Sequence, residues 1–446
     1  MDVALFRTME QGTNADLEKV LSRPEFRNDL QNFLVKHLSV PTEYITLPKD
    51  LVRVAGDIRN LKTKHEGIEE KSRVTGFSLP YSIENMVPTI PALHKIFLPK
   101  ASDASFAKRA IVREAISARY VRECLDQSGL AYSIPQVIHY GGEDLVRLYL
   151  SGLTLRHVLT DIHAFARAGS EADKREAPLL THLLASNLMH YLAISHFKIN
   201  DPRNVESLPQ SGQVIEYGSK VFMPKLPITN NAVQRTIQYA NTIRNAWVKS
   251  KEEIDNVKWE DMLAEAYTRS RIAAIEKDEL SQLALLDFNP DNVILLLDNE
   301  KDVNIVQFLR EKDIVDSLSK RFGYIDLEKF GHGSPIYDTC IVDHPLLALT
   351  DEQIDNNLSR YVSTFNGLCV KEQALDRKVK KEIFEEKFKY LRLERLLFAA
   401  ANDPDYINVR IMLENLNRRM RELPDLEPLR KALAYGIPQL REEPAR

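Results

Sequence analysis

The sequence predicts an α+β chain in two lobes, a small mixed lobe followed by a large, mainly helical one, with a helical extension in front. Three observations predict it. Residues 67–150 read as strand, helix and hairpin. From Gly152 onward the chain carries apolar residues mainly at helical spacing. The few strands that interrupt this second region bear acidic residues where apolar runs meet turns. At 446 residues and 44% hydrophobic, the chain has length for two or three domains and enough apolar material to exclude disorder. A formal net charge of −4 argues against nucleic-acid binding through an overall field. No apolar run approaches the ~20 residues of a membrane span. Cys124, Cys340 and Cys369 are widely spaced, which fits a reducing compartment. The expectation is a cytoplasmic protein with neither nucleic-acid nor membrane partner.

Residues 1–66 are expected to form the helical extension. Ser22-Arg-Pro-Glu25 reads as a capping box with proline in the first turn, and Phe26, Leu30, Phe33, Leu34 and Leu38 follow as one apolar stripe. The charge-rich stretch 62–71 reads as a connector. No chemistry is visible here, so the extension is assigned to packing or to a protein partner.

Residues 67–150 are expected to form the small lobe. Residues 92–98 lie between Pro91 and Pro99 and suit a strand, and 105–126 suit a helix ending near Gly129. Residues 136–140 and 145–150 flank Gly141-Gly142-Glu-Asp144, a hairpin signal. The large lobe is expected over 151–446. Helices are predicted at 154–166 and 178–197, then at 231–251 and 259–277 after a proline- and glycine-punctuated segment, and again beyond Pro345.

The candidate chemistry lies between Leu285 and Asp338. Phosphoryl transfer needs a carboxylate to orient and deprotonate the acceptor, oxygen ligands for magnesium, and a lysine for the phosphates. In Asp287-Phe-Asn-Pro-Asp-Asn292 the first and last residues stand five apart, which puts a base and a metal-binding amide at opposite ends of one tight loop. Asp326 follows the apolar Tyr324-Ile325 and is the natural second ligand, because Mg²⁺ prefers oxygen donors. The distance from Asn292 to Asp326 predicts a helical insertion near 303–320. Asn-Pro-Asp-Asn is also ordinary turn chemistry, and it gains meaning from the acids and strands around it. Asp201 is rejected as a rival base, since its next asparagine is Asn204 and no apolar strand follows.

This segment resembles the aminoglycoside phosphotransferase and choline kinase branch of the protein-kinase-like superfamily. That family's catalytic loop reads His-Gly-Asp-x-x-x-x-Asn, and its metal segment reads Ile-Asp-[Trp/Phe/Leu]-Glu followed by Gly-[Asp/Ser]-Pro-x-Tyr-Asp. Here Asp287, Asn292, Ile325-Asp-Leu-Glu328 and Gly333-Ser-Pro-Ile-Tyr-Asp338 match. The resemblance implies a bilobal protein-kinase-like fold, ATP or GTP as donor, Mg²⁺, and a small-molecule hydroxyl as acceptor. It implies Asp287 as catalytic base and Asn292 and Asp326 as metal ligands. It makes Lys95 the phosphate-holding lysine, Glu114 its helix partner and Gly76 a remnant of the nucleotide loop. Backbone groups at Tyr149, Leu150 and Ser151 would meet the nucleotide base. Asp338 would be a structural acid tying down the segment after the metal ligand. Two departures stand out: Leu285 and Leu286 occupy the family's His-Gly positions, and the nucleotide loop has one glycine. A non-enzymatic pseudokinase and a kinase acting on a protein stay open as alternatives. So does the acceptor, whether antibiotic, amino alcohol, sugar or nucleoside.

Overall fold

The computed structural model describes residues 15–61, 72–83, 86–97, 106–126, 128–130, 133–141, 144–205, 214–217, 219–222, 232–247, 255–278, 282–298, 303–403 and 406–440. The chain divides into two compact units. One comprises Met1–Gly152, Pro209–Met223 and Gly323–Lys329, and the other Leu153–Leu208, Pro224–Phe322 and Phe330–Arg446. As the sequence predicts, the smaller unit is mixed α+β and the larger is mainly helical. Among the described residues no helix is long and apolar enough to cross a membrane.

The smaller unit opens with helices α1 (Ala15–Leu21) and α2 (Pro24–Leu38). Its sheet is antiparallel, with strands β1 (Gly56–Leu61), β2 (Ser72–Pro80), β3 (Thr89–Phe97), β4 (Val137–Gly141) and β5 (Asp144–Leu148) in the order β1-β2-β3-β5-β4. Helix α3 (Phe106–Asp126) connects β3 to β4. Side chains alternate across a strand, so β3 divides its labour between two faces. Ile90 and Ala92 join a core made by Leu17, Val20, Leu21, Phe26, Leu30, Phe33 and Leu34 of α1 and α2. On the α3 side, Ala110, Ile111 and Ala115 pack with Leu145. The apolar stripe of α2 is therefore spent on covering the sheet.

Three local expectations are corrected in this unit. The capping box at Ser22 does not form. Its hydroxyl donates back to the Lys19 carbonyl at 3.0 Å, and α2 begins at Pro24 with extended Arg23 as its cap. The Arg23 guanidinium instead pairs with Asp144 at 2.9 Å, and His94 holds the other carboxylate oxygen at 2.8 Å. Residues 56–61 form edge strand β1, not helix. Strand β3 runs through Pro91, whose carbonyl accepts the Tyr149 N–H at 3.1 Å. The 62–71 connector lies outside the described residues.

The larger unit contains α4 (Leu155–Ala168), α5 (Glu171–Ile199), α6 (Ala232–Trp247), α7 (Asn256–Thr268), α8 (Arg271–Asp278), α9 (Asp351–Lys371), α10 (Lys381–Asn402), α11 (Tyr406–Arg421) and α12 (Glu427–Gly436). Helix α5 starts well before Pro178 because Ser170 and Asp173 form a reciprocal capping box. The single helix expected over 259–277 is two, α7 and α8. Short helices Ile305–Arg310 and Lys312–Ser317 occupy the stretch where an insertion is predicted. Strand β6 (Leu283–Ala284) pairs antiparallel with β8 (Gly331–His332), and β7 (Val293–Leu296) follows the Asp287 loop.

Candidate active site

In the smaller unit, Lys95 projects from β3 on the α3 side and is buried. Its ammonium donates to Glu114 Oε2 at 2.7 Å and to Asp326 Oδ1 at 2.6 Å. Arg147, on β5, donates to the other Glu114 oxygen at 2.5 Å. Burial by itself would lower the Lys95 pKa, but the carboxylates of Asp326 and Glu114 push it above the ordinary lysine value. Burial would likewise raise Asp326, yet the Lys95 charge and hydrogen bond hold it below the usual carboxylate range. Asp326 is the accessible member, 31% exposed against 5% for Lys95 and 1% for Glu114.

Asp326 also takes a left-handed backbone, with φ of +69°. Aspartate tolerates this better than bulkier residues. Glu328 is pushed up to about 7, first by burial and then by the Asp326 charge. Glu114, Asp326 and Glu328 bring one oxygen each within 4.8 Å of one another. An all-oxygen donor set with two partly exposed carboxylates, Asp326 and Glu328, fits a hard cation such as magnesium.

In the larger unit, Asp287 and Asn292 share one loop. The Asn292 side-chain amide donates to the Asp287 carbonyl at 3.1 Å, and the Asn289 amide donates to the same carbonyl at 3.0 Å and to Asp287 Oδ1 at 3.1 Å. On the far side, the Arg156 N–H donates to the Pro290 carbonyl at 3.0 Å, and its guanidinium pairs with Asp291 at 2.7 Å and Asp403 at 3.3 Å.

The segment before Asp287 is held by Asp338, which is fully buried. Its two oxygens accept the N–H groups of Leu285 and Leu286, both at 2.8 Å, and Oδ2 also meets His196 Nε2 at 2.9 Å. Asp338 is thus a structural acid, but it ties down the segment preceding the candidate base, not the one following Asp326. Leu286 has φ of +67°, a left-handed conformation costly for a branched side chain. Its side chain rests against Gly333, where an added Cβ would sit 2.8 Å from Leu286 Cδ2. Only glycine leaves that room.

Of the residues singled out in the sequence, Lys95, Glu114 and Asp326 come together in the smaller unit, and Asp287 and Asn292 in the larger. Gly76 is corrected: it sits inside β2, opposite Arg59 and Leu93, and forms no turn. Tyr149, Leu150 and Ser151 follow β5, with the Tyr149 N–H committed to Pro91; Leu150 is half-buried and Ser151 exposed. The rejected Asp201 is occupied by Arg203 at 2.7 Å. Sequence reasoning missed Arg147, His196 and Arg156. Arg147 pairs opposite Leu93, two residues from Lys95 and therefore on its face, a register between non-consecutive strands that the sequence does not give. His196 and Arg156 carry no local signal.

No family model matches the chain, and no curated protein matches it. Among solved structures it is similar to an ethanolamine kinase of Plasmodium vivax, at 11% identity and a TM-score of 0.40 over 93% of this chain and 97% of that one. It is also similar to a choline kinase of Cryptosporidium parvum Iowa II, at 12% identity and a TM-score of 0.38 over 93% and 95%. A third is an aminoglycoside 2'-phosphotransferase-IIIa in its GDP complex, at 9% identity and a TM-score of 0.36 over 89% and 98%.

Proposed function

We propose that this protein is a phosphotransferase that moves the γ-phosphoryl of ATP or GTP to a hydroxyl of a small molecule, with Mg²⁺. The observation that carries the reading is the buried Lys95 held between Glu114 and Asp326. Removing the Lys95 and Glu114 charges from water costs several kcal/mol per ion, and apolar residues of similar volume would often stabilise the fold as well or better. Such a cluster, with one carboxylate left open, suits a site that receives phosphate and metal.

In this reading Lys95 binds the phosphates, and Glu114, itself fixed by Arg147, orients it. Asp326 and Asn292 supply oxygen ligands to magnesium, which when bound neutralises charge on the phosphate oxygens. The backbone at Leu150 and Ser151, with the Tyr149 carbonyl, meets the nucleotide base. Asp287 accepts the acceptor's hydroxyl proton as that oxygen bonds to the γ-phosphorus and the bond to the bridging oxygen breaks, releasing the nucleoside diphosphate.

A pseudokinase is the rival that Leu285 and Leu286 favour. Thermal denaturation with ATP or GTP, with and without Mg²⁺, separates them. A metal-dependent rise in melting temperature supports the enzyme, and no shift at millimolar nucleotide supports the rival.

A further inference from the structure

We infer that Arg395, on helix α10, is a positioning residue for Asp287, an assignment that rests on the phosphotransferase reading. Its Nη1 donates to the Leu286 carbonyl at 3.2 Å and its Nη2 to the Phe288 carbonyl at 3.3 Å. These are the carbonyls one residue before and one residue after Asp287. With the Asp338 contacts to the Leu285 and Leu286 N–H groups, and the Asn289 and Asn292 contacts to the Asp287 carbonyl, five consecutive peptide units are each gripped by a side chain. Arg395 supplies two of the five.

The guanidinium is itself well placed to hold a geometry. Its carbon lies 4.4 Å over the Phe398 ring, one turn further along the same helix, which restrains its plane. The neighbouring Glu394 anchors α10 by accepting from Arg235 at 2.7 Å and from Tyr337 Oη at 2.5 Å. The strained Leu286 therefore has its N–H fixed by a buried carboxylate and its carbonyl by a cation on an anchored helix. A planar fork can serve two carbonyls at once, whereas a lysine ammonium is a point donor on a flexible stem.

The test compares wild type with Arg395→Met, Arg395→Lys and Arg395→Ala. Each is assayed for consumption of MgATP and MgGTP across a panel of amino alcohols, sugars, nucleosides and aminoglycosides, and for amide hydrogen exchange over residues 285–292. Misplacing a catalytic group by an ångström costs about 100-fold. Arg395→Met is expected to lose about that much kcat, with nucleotide KM within about twofold, a melting temperature lowered by only a few °C and faster exchange in the loop. Arg395→Lys should fall between, and added guanidinium should restore part of the Arg395→Ala rate. Arg395→Met turning over within about threefold of wild type overturns the assignment. So does a loss of rate that follows a loss of melting temperature and is rescued by neither lysine nor guanidinium. A wild-type protein that consumes neither nucleotide with any acceptor refutes the phosphotransferase reading and this assignment with it, so the wild-type rate tells the two failures apart.

Discussion

Asp338→Asn keeps the shape of a buried side chain and changes only what its two outer atoms do. In the wild type, Oδ1 accepts from Leu286 and Oδ2 accepts from Leu285 and His196, at 2.8 to 2.9 Å. An asparagine has one acceptor and one donor there, so at least one backbone N–H must face an NH₂ group. An orphaned buried donor costs about 1–3 kcal/mol, and the remaining contacts fall from charge-assisted to neutral strength, about 1 kcal/mol each. The sum is roughly 3–5 kcal/mol. The left-handed backbone of Leu286 stores about 1–3 kcal/mol, similar to the bond that is lost, so the loop should leave its wild-type conformation. At about 2 °C per kcal/mol for a unit of this size, the melting temperature should drop by roughly 6–10 °C. Amide exchange at Leu285 and Leu286 should accelerate, and turnover should fall with it. A melting temperature within about 1 °C of wild type, with unchanged exchange, would mean that Asp338 does not hold the Leu285–Leu286 segment in place.

Removing residues 1–38 should leave the smaller unit insoluble. The truncation strips seven buried apolar side chains from the sheet, at about 1.5–3 kcal/mol each, which approaches or exceeds the 5–15 kcal/mol that holds a typical domain. A soluble, cooperatively melting product would show that α1 and α2 are dispensable packing. Asp144 is buried, which would raise its pKa, but His94 and Arg23 hold it below the usual carboxylate range. A depressed carboxylate contributes its stability above the unfolded value near 4 and loses it as pH falls below that. Asp144→Asn should therefore flatten the acid limb of a melting-temperature profile below about pH 4, and an unchanged limb would exclude this group as its source. Asp326→Ala should lose any Mg²⁺-dependent thermal shift with nucleotide, and retention of the full shift would remove Asp326 from the metal ligands.

What the sequence made legible was local. Two residues five apart on a tight loop need only that loop to be brought together, and the Asn292 amide meets the Asp287 carbonyl. Lys95 and Asp326 stand 231 residues apart, and only resemblance linked them before the fold did. The residues left unread act at a distance from helices whose own patterns are occupied by packing. His196 lies in a 29-residue helix with many buried apolar neighbours, and Arg395 sits on a charged, partly exposed one. Strand β1 was hidden because Gly56-Asp-Ile-Arg-Asn-Leu61 carries the charges that edge strands use against aggregation and little alternation. Gly76 misled because a lone glycine is as much at home in a strand as in a phosphate loop. No capping box forms at Ser22 because its hydroxyl is committed to the Lys19 carbonyl in the preceding turn.

The central claim, that Asp287 is the base of a phosphotransferase, is tested most directly by turnover of Asp287→Asn beside wild type. The acceptor is one found in the nucleotide-consumption screen, and nucleotide affinity is measured in parallel. Asp287→Asn should lose turnover with nucleotide binding intact, since asparagine keeps the loop's hydrogen-bonding shape and removes the proton acceptor. Full turnover by Asp287→Asn would contradict the central claim.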